Sequence, residues 1–519
     1  MLKIPAFGET CIENRVNDNT RVYMFEAAEK DLFDNYCALL EGEGYEKKES
    51  SLSTARAYAA YCKEGNGVFL NFYFRNGEMT LVTEDNTSYF SYTDRFRGAM
   101  MAPQITQVHL EDFGLSYVIR LSDGRFIIFD GGWNFEPDRN RLFECLKAGS
   151  PDEKPVIAAW ILTHPHGDHY LCFLGFMEQY GDQVVIEKFL FNFPEFDDIE
   201  HYPKLKDPNA MQKEIAPFQI IPKVLEQVKK LGVPVYTPRT GQRYRIGDAD
   251  CEILSCMDET IHCSEKINAL SLVIRMELGG QVILWTTDAS FSFARIPQRY
   301  GEYLKADILQ IPHHGFQCGD AEEEVMGYDL ISPKVCFMPV SDENAYTVFC
   351  SYQEGTRHVL RNVGVEEVIT GTKQKTITLP YTAPAYAKRE LEEKFLQGRE
   401  NCGARTWIFS DLSTNNPEDF VFTILNTTVR PAEVFIDIFF EERPQKIRNI
   451  RAEVTGWTLK KLSVIGDEID PQWEWVKSDS LATKGIPENS LFAVRFTCVK
   501  PIVVTHKTHT ASYHSVLQG

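Results

Sequence analysis

The pattern of apolar and polar residues divides the chain into regions of different character. Over the first hundred residues, apolar positions three and four apart predict a helix at about 26–41, and alternating runs predict four short strands. From about 104 to 380, β-branched runs alternate with helical stretches, as is typical of a layered α/β domain. After Gly403 the apolar runs have strand character and are separated by Pro-, Asn- and Asp-rich turns, which predicts a β-sandwich. The predicted domains are a small α+β domain at 1–100, an α/β catalytic domain at 104–380, a charged helical connector at 381–403 and a β-sandwich at 404–519.

Composition and charge narrow the range of functions. Hydrophobic residues make up 43% of the 519 positions, which is enough for each domain to bury a core. The chain has 54 basic and 74 acidic side chains, a formal net charge of −20. A surface this negative repels nucleic-acid backbones and anionic lipid, so we expect neither a nucleic-acid partner nor a membrane partner. A phosphate substrate is still compatible, because a bound metal ion reverses the local sign of the charge.

The cysteines and the N-terminus bear on localisation. There are 13 cysteines, an odd number, and no C-x-x-C motif, so a disulfide framework is not predicted. Free thiols favour a reducing compartment. The first residues lack the apolar core of a signal peptide, and no segment offers about 18 consecutive apolar residues. These features predict a cytoplasmic protein.

The segment ILTHPHGDHY, 161–170, carries the most chemical information. A predicted strand, Val156–Thr163, ends just before it and delivers imidazole and carboxylate side chains into one tight loop, at His164, His166, Asp168 and His169. Pro165 and Gly167 allow the sharp turns that bring alternate side chains together. Nitrogen and oxygen donors of this kind are ligands for zinc, manganese or iron. The loop therefore predicts a metal site.

H-x-H-x-D-H after an apolar strand and Thr resembles the signature of the metallo-β-lactamase-fold hydrolases. Other landmarks of that family follow in order: the strand end FDGG with Asp130, ILWTTDAS with Asp288, and DILQIPHHG with His313 and His314. The resemblance covers about 104–380 and implies a four-layer αββα fold. P-H-H-G, preceded by N-x-x-S-L-V from Asn268 and followed by GTKQKTITL at 371–379, is most similar to one subgroup. This subgroup contains the hydrolase domains of competence proteins and the phosphorylcholine esterases.

The resemblance implies a site with two divalent metal ions, zinc with manganese or iron as alternatives. His164 and His166 would hold one ion, while Asp168, His169 and either His313 or His314 would hold the other. Asp288 and a hydroxide would bridge the two ions. The catalytic candidates are Asp168, Asp288, His313 and His314. Asp130 would brace the ligand loop rather than bind metal.

Several assignments remain open at this level. Which of His313 and His314 ligates is not readable from spacing, since neighbouring side chains leave a strand end in different directions. Most of the family has a further His ligand between the first cluster and the bridging Asp, and this interval offers only His201 and His262. Trp133, Tyr170 and Tyr346 are candidate substrate contacts because each lies near a predicted strand end.

The function expected from these features is metal-dependent hydrolysis of a small molecule by the bridging hydroxide, with a phosphodiester as the leading substrate. A lactone, thioester or amide hydrolase on the same site is the alternative, and a non-catalytic metal-binding scaffold is a further one. A flavodiiron-type redox protein is disfavoured, because position 166 is His rather than Glu and no flavodoxin-like domain is predicted. The C-terminal domain is the expected location of any homo-oligomer contact.

Overall fold

The computed structural model describes residues 11–87, 90–194, 220–261, 267–317, 319–349, 353–400, 404–426, 431–441, 446–455, 458–463 and 490–506. The chain forms two compact units. The first comprises Met1–Ala345 with Gln353–Lys388, and the second comprises Tyr346–Tyr352 with Arg389–Gly519.

The first unit begins with an antiparallel sheet in the order β1-β2-β6-β5-β4-β3. Its strands are β1 (Cys11–Arg15), β2 (Thr20–Phe25), β3 (Glu46–Leu52), β4 (Arg56–Lys63), β5 (Asn66–Tyr73) and β6 (Glu78–Glu84), and helix α1 spans Lys30–Gly42. The helix predicted from residue 26 begins four residues later than expected. Ala27 has a φ of 56°, and the N–H of Ala28 donates to the carbonyl of Gly77 at 2.6 Å, so this segment forms a turn.

This N-terminal sheet is joined to later segments by buried ion pairs, which we call the arginine cluster. Arg56 on β4 pairs with Glu252 at 2.6 Å, and the side chains of both are almost completely buried. Nε of Arg299 lies 2.8 Å from Glu78 on β6. Two further sets of partners complete the cluster: Arg239 with Glu84 and Asp258, and Arg299 with Glu259.

Two larger sheets follow. The first has the order β13-β12-β10-β9-β8-β7-β21, with β11 paired to β10. Its strands are β7 (Gln104–Gln107), β8 (Ser116–Arg120), β9 (Phe126–Asp130), β10 (Val156–Ile161), β11 (Val185–Ile186), β12 (Phe189–Leu190), β13 (Val235–Tyr236) and β21 (Lys375–Thr378). The second has the order β14-β15-β16-β17-β18-β19-β20. Its strands are β14 (Arg243–Ile246), β15 (Ala249–Ser255), β16 (Val273–Leu278), β17 (Gln281–Trp285), β18 (Ile308–Gln310), β19 (Val335–Met338) and β20 (Glu367–Thr370).

The two sheets pack face to face over one buried core. Phe129 of the first sheet stacks on Trp285 of the second, with ring centroids 4.7 Å apart. The helices are α2 (Glu136–Gly149), α3 (Gly167–Tyr180), α4 (Ile221–Leu231), α5 (Ile296–Tyr300), α6 (Ala321–Ile331) and α7 (Glu354–Arg361). Helices α2, α3 and α4 cover the outer face of the first sheet, while α5, α6 and α7 follow strands of the second. The predicted α/β class with four layers is confirmed.

The directions of the strands place the candidate site residues at one edge of this double sheet. Strands β9 and β10 are parallel, so Asp130 and the loop after Ile161 lie at the same edge of the first sheet. Strands β17 and β18 are also parallel, so the segments that follow Trp285 and Gln310 lie together at an edge of the second. Open α/β sheets bind ligands at such carboxyl ends of parallel strands.

The second unit contains helix α8 (Ala387–Glu400), which starts at the boundary, and an antiparallel sheet. The strands are β22 (Ala404–Ser413), β23 (Val421–Asn426), β24 (Ala432–Phe440), β25 (Lys446–Val454), β26 (Leu459–Ser463) and β27 (Leu491–His506). The first half of β27 pairs with β24 and its last residues pair with β23, so one hydrogen-bonded network surrounds an apolar core. Among the described residues, no helix is long and apolar enough to span a membrane.

Candidate metal centre

Asp130 is the anchor of the site. It ends β9 with a φ of 54°, and its side chain is fully buried. One carboxylate oxygen accepts the N–H of Thr163 at 2.8 Å. The other accepts the Thr163 hydroxyl and Nδ1–H of His169, both at 2.7 Å. Asp130 therefore connects β9 to the ligand loop and fixes the tautomer of His169, whose Nε2 is left to face the centre.

The ligand loop occupies the short interval between β10 and α3. His166 is the N-cap of α3, so the chain turns into a helix directly after it. His164 is fully buried, and its Nε2 lies 3.1 Å from Nδ1 of His166. Asp168 and His169 lie in the first turn of α3 and point toward the second sheet: Nε2 of His169 is 3.3 Å from Oδ2 of Asp288.

Asp288 comes from the loop that follows β17, and Gln310 shapes that loop. The side-chain oxygen of Gln310 accepts the N–H groups of Thr286 and Thr287, and its amide nitrogen donates to the carbonyl of Thr287. Thr287 has a φ of 48°, which turns the chain sharply before Asp288. The buried carboxylate of Asp288 thereby meets the imidazoles of the ligand loop.

His313 and His314 diverge. Both have left-handed backbone conformations, with φ of 47° and 55°. Nε2 of His314 lies 3.1 Å from Asp168 and 3.5 Å from Asp288, so its ring faces the ligand cluster. The Nε2 atom of His313 instead lies 2.9 Å from the amide nitrogen of Asn268. The geometry therefore favours His314 over His313 as a ligand.

The electrostatics of the cluster are those of a cation site. Burial raises the pKa of Asp168 and Asp288, but the neighbouring His169 and His314 hold both values well below the ordinary range. Burial lowers the pKa of His314, yet Asp288 and Asp168 raise it to about 9. The pKa of His169 is likewise held well above its usual value by surrounding carboxylates, against the effect of burial. In the metal-free protein, protons on His169 and His314 therefore balance the negative charge of the carboxylates. A bound cation would take over this role.

Burial acts without such compensation on two other histidines. Burial and the neighbouring His169 hold the pKa of His164 well below its ordinary value. Burial also lowers the pKa of His313. Both rings are therefore neutral at pH 7, the form in which imidazole binds a metal or donates a single hydrogen bond.

The donor set fits divalent metal ions. Two groups of side chains each bring ligand atoms within 4.8 Å of one another: His164, His169 and Asp288, and Asp168, His169 and His314. Within the described residues, Nε2 of His169, Nε2 of His314 and Oδ1 of Asp288 are buried without a hydrogen-bond partner. Two ligands of one tetrahedral zinc ion lie roughly 3.3 Å apart, close to the separation between the His164 and His166 nitrogens. The positions of these nitrogen and oxygen atoms are therefore those expected of metal ligands.

The sequence-predicted residues divide between the centre and its surroundings. His164, His166, Asp168, His169, Asp288 and His314 come together, and Asp130 supports them. Trp133 is half-buried beside Gly167 and donates its indole N–H to the carbonyl of Phe113 at 2.9 Å. Tyr170 is fully buried in the core beneath the helices, so it has no surface to offer a substrate. Tyr346 is buried in a segment of the second unit, and His201 and His262 lie outside the described residues.

Sequence reasoning missed several residues that shape the site. Thr163 and Gln310 hold the two ligand-bearing loops, but a lone polar residue at a strand end gives no specific signal. Asn268 belongs to the N-x-x-S-L-V motif noted above, although nothing in that motif indicated its contact with His313. Phe113, which is 43% exposed, lies with its ring centroid 5.8 Å from that of His314.

Comparison with known proteins bears on this site. A search of curated proteins finds no match to the chain. Among solved structures, Igni18, described as a novel metallo hydrolase from the hyperthermophilic archaeon Ignicoccus hospitalis KIN4/I, has 14% identity and a TM-score of 0.32, covering 53% of this chain and 99% of its own. A beta-lactamase domain protein from Burkholderia ambifaria has 10% identity and a TM-score of 0.22, covering 67% of this chain and 73% of its own. The Anabaena sensory rhodopsin transducer has 20% identity and a TM-score of 0.16, covering 21% of this chain and 84% of its own.

A family model described as the metallo-beta-lactamase superfamily matches residues 110–237. The matched segment contains Asp130 and the whole ligand loop. This part of the chain is therefore similar to the metallo-β-lactamase superfamily.

Proposed function

We propose that the protein is a metal-dependent hydrolase that cleaves a phosphodiester bond in a small molecule. The observation that carries the proposal is the pair of overlapping ligand groups, which share His169 and lie around Asp288. Because His169 has one free nitrogen and binds one ion, the two groups supply ligands for two adjacent ions only with His166 added, an arrangement used in phosphoryl transfer. His164, His166 and Asp288 would hold one ion, and Asp168, His169, His314 and Asp288 the other. We expect zinc, with manganese or iron as alternatives.

When bound, the ions supply Lewis acidity and lower the pKa of water from about 15.7 to near 7. The protein's own side chains hold the ligand residues in place. Asp130 fixes His169 through Nδ1, and Gln310 fixes the loop that carries Asp288. Because these supports are buried, the ligands are held before substrate arrives, and less reorganisation is needed during the reaction.

The reaction consumes one water molecule. Its oxygen adds to phosphorus, the P–O bond to the leaving group breaks, and the leaving oxygen keeps that electron pair. The proton released by the attacking water balances the proton that the leaving oxygen takes up. No seryl or cysteinyl nucleophile is required.

The choice of a phosphodiester over another ester rests on the P-H-H-G and N-x-x-S-L-V motifs, which resemble those of a phosphoester-cleaving subgroup. The charge balance supports a small substrate rather than a nucleic acid, because a net charge of −20 opposes binding of an extended phosphate backbone. Phe113 and Phe316, with ring centroids 6.2 Å apart, line this side of the centre and offer an apolar surface to such a molecule.

The test is turnover of bis(p-nitrophenyl) phosphate by full-length protein loaded with zinc and then with manganese. Asp288→Asn is the loss-of-function variant. Asp329→Asn makes the same change at an exposed carboxylate that pairs with His358, and serves as the matched control. We expect release of p-nitrophenol by the wild type and by Asp329→Asn, and none above background by Asp288→Asn.

Metal content must be measured on the same samples. If protein that holds metal turns over nothing with either ion, the phosphodiester assignment fails, and lactones and thioesters become the substrates to assay. If the chain holds less than about one ion after reconstitution, the hydrolase assignment itself fails.

A further inference from the structure

A polar pair, Asn268 and His313, lies beside the ligand cluster but makes no contact with its carboxylates among the ion pairs described above. The Nε2 atom of His313 and the amide nitrogen of Asn268 are 2.9 Å apart. Asn268 is 7% exposed. Two atoms of the pair, Nδ1 of His313 and Oδ1 of Asn268, are buried without a hydrogen-bond partner among the described residues. The pair is thus polar, buried and incomplete.

The contact determines where the imidazole proton resides. An amide nitrogen can only donate, so Nε2 of His313 accepts this hydrogen bond. A neutral imidazole that accepts at Nε2 carries its proton on Nδ1. The unpartnered Nδ1 is therefore a hydrogen-bond donor, and leaving such a donor buried without a partner is unfavourable.

The backbone also has a cost here. The left-handed conformation is disfavoured for residues other than glycine, and His313 and His314 are two such residues in succession. The N–H of His313 donates to the carbonyl of Thr287 at 2.8 Å and holds this conformation. His314 uses the conformation to reach Asp168 and Asp288. The ring of His313 bonds to Asn268 and lies beside Phe316. A strained conformation and an unpartnered donor therefore coincide at one residue, as is common where a side chain acts on a ligand.

We infer that His313 is a catalytic residue whose Nδ1–H donates a hydrogen bond to the leaving-group oxygen of the substrate, and that Asn268 is the residue that positions it. The inference rests on the proposed phosphodiester hydrolysis. In that reaction negative charge develops on three kinds of oxygen. Bound metal ions would stabilise the charge on the attacking and non-bridging oxygens, and the leaving oxygen needs a separate hydrogen-bond donor. Within the described residues, Asp168 and Asp288 pair only with histidines, so no arginine or lysine in those ion pairs supplies it.

The experiment compares two leaving groups in one series of full-length variants. The substrates are p-nitrophenyl methyl phosphate and phenyl methyl phosphate, which differ only in how basic the departing phenolate is. A donor to the leaving oxygen matters more for the more basic phenolate. We therefore expect Asn268→Leu to lower kcat for the phenyl ester by about 10²-fold, and for the p-nitrophenyl ester by no more than about threefold, with KM and bound metal unchanged.

Three further variants sharpen the result. His313→Phe should behave as Asn268→Leu does, while His313→Gln, which keeps an N–H donor, should recover part of the phenyl-ester rate. Asn192→Leu removes another buried asparagine, one that bonds to Pro238 and Asp258, and should leave the ratio of the two rates as in the wild type. Equal losses on both substrates, or loss of metal from Asn268→Leu, would overturn the inference.

The pair is also testable without turnover, which separates its failure from failure of the proposed function. Long-range ¹H–¹⁵N spectra of histidine-labelled protein report which nitrogen of His313 is protonated. We expect Nδ1 in the wild type and a shift toward Nε2 in Asn268→Leu. A wild-type His313 protonated at Nε2 would overturn the assignment even if phosphodiesters are cleaved. If neither ester is cleaved, the leaving-group role is overturned along with the proposed function, and the spectra still decide whether Asn268 positions His313.

Discussion

Two clusters of buried charge in the first unit differ in the kind of partner that each carboxylate has. In the arginine cluster, Arg56, Arg239 and Arg299 meet carboxylates at hydrogen-bond distance, and the positive charges are permanent. In the metal centre, the partners of Asp168 and Asp288 are imidazoles, which are charged only when they hold a proton. In the arginine cluster, each carboxylate has an arginine partner from the protein itself. The metal centre is balanced only by protons or by metal ions.

This difference separates a structural cluster from a functional one, although both are equally buried. Buried charges that the chain itself pairs contribute to holding segments together. Buried ligand atoms without a hydrogen-bond partner among the described residues, such as Nε2 of His169 and Oδ1 of Asp288, are instead available to bind an ion. Burial by itself does not distinguish the two cases, whereas the chemistry of the partner does.

The largest effect is expected from His169→Gln, because His169 belongs to both ligand groups. We expect bound metal to fall to one ion per chain or less and turnover to fall by at least about 10³-fold, more than the 10- to 100-fold typical of losing a supporting partner. Metal analysis and kinetics on the same sample measure this. His358→Gln, at a histidine whose partner is the exposed Asp329, is the matched control. Retention of two ions by His169→Gln would show that the ligand groups are misassigned.

Breaking the arginine cluster should have the opposite signature. Arg299→Met leaves the buried Glu78 and Glu259 without this partner, so we expect the free energy of unfolding to fall by about 3–5 kcal/mol. Metal bound per folded chain should not change. Urea unfolding measures the stability, and Arg295→Met, which removes a half-exposed partner of Glu78, should cost about 1 kcal/mol or less. Similar losses in both variants would contradict the importance of burial.

Asp130→Asn tests the support of the metal centre. Asparagine presents only one oxygen in place of the two that accept from Thr163 and His169, so His169 is held less firmly. We expect metal affinity to fall by about 10- to 100-fold, measured by competition with a chelator. Asp138→Asn changes another buried aspartate, which accepts the N–H of Glu111 and pairs with Arg141, and it should leave metal affinity unaltered.

The last effect, about tenfold for each pH unit, is a pH dependence that the arginine cluster should lack. Because the pKa of His314 in the metal-free protein is about 9, its proton must leave before a metal ion can bind there. Apparent metal affinity should therefore rise by about tenfold per pH unit between pH 6 and 9, with slower change above that range. Calorimetry in buffers of different ionisation enthalpy measures the protons released. Binding without proton release at pH 7 would exclude His314 as a ligand.

The clustering of the candidate ligands was largely predictable from sequence because they come from short segments at strand ends. Four of them lie within the six residues 164–169, so local chain geometry places them. The choice between His313 and His314 was not predictable, since it depends on left-handed backbone conformations that histidine seldom adopts. The pairing of Asn268 with His313 joins segments 45 residues apart and leaves no periodic signal.

Elsewhere the limits have other physical causes. Tyr170 was expected near a substrate because it lies near a predicted strand end. Successive helical residues are rotated by about 100°, so His169 faces the centre and Tyr170 faces the core. Strands β1 and β3 were not predicted because their sequences are polar and mostly exposed, and edge strands of this kind lack the alternation that identifies a strand. The ion pairs of the arginine cluster span nearly 200 residues, as between Arg56 and Glu252, and sequence does not encode such distances.

The arginine cluster also has a consequence for how the protein can vary. The N-terminal sheet was predicted as a small domain of its own, and Arg56, Glu78 and Glu84 on its strands pair with charges of the neighbouring α/β segment. Exchange of the sheet alone would remove one buried counter-charge each from Glu252 and Arg239 and leave them with Arg243 and Asp258. We therefore expect the two segments to change together in evolution. A substitution at residue 56 should be tolerated only when residue 252 changes to compensate for it.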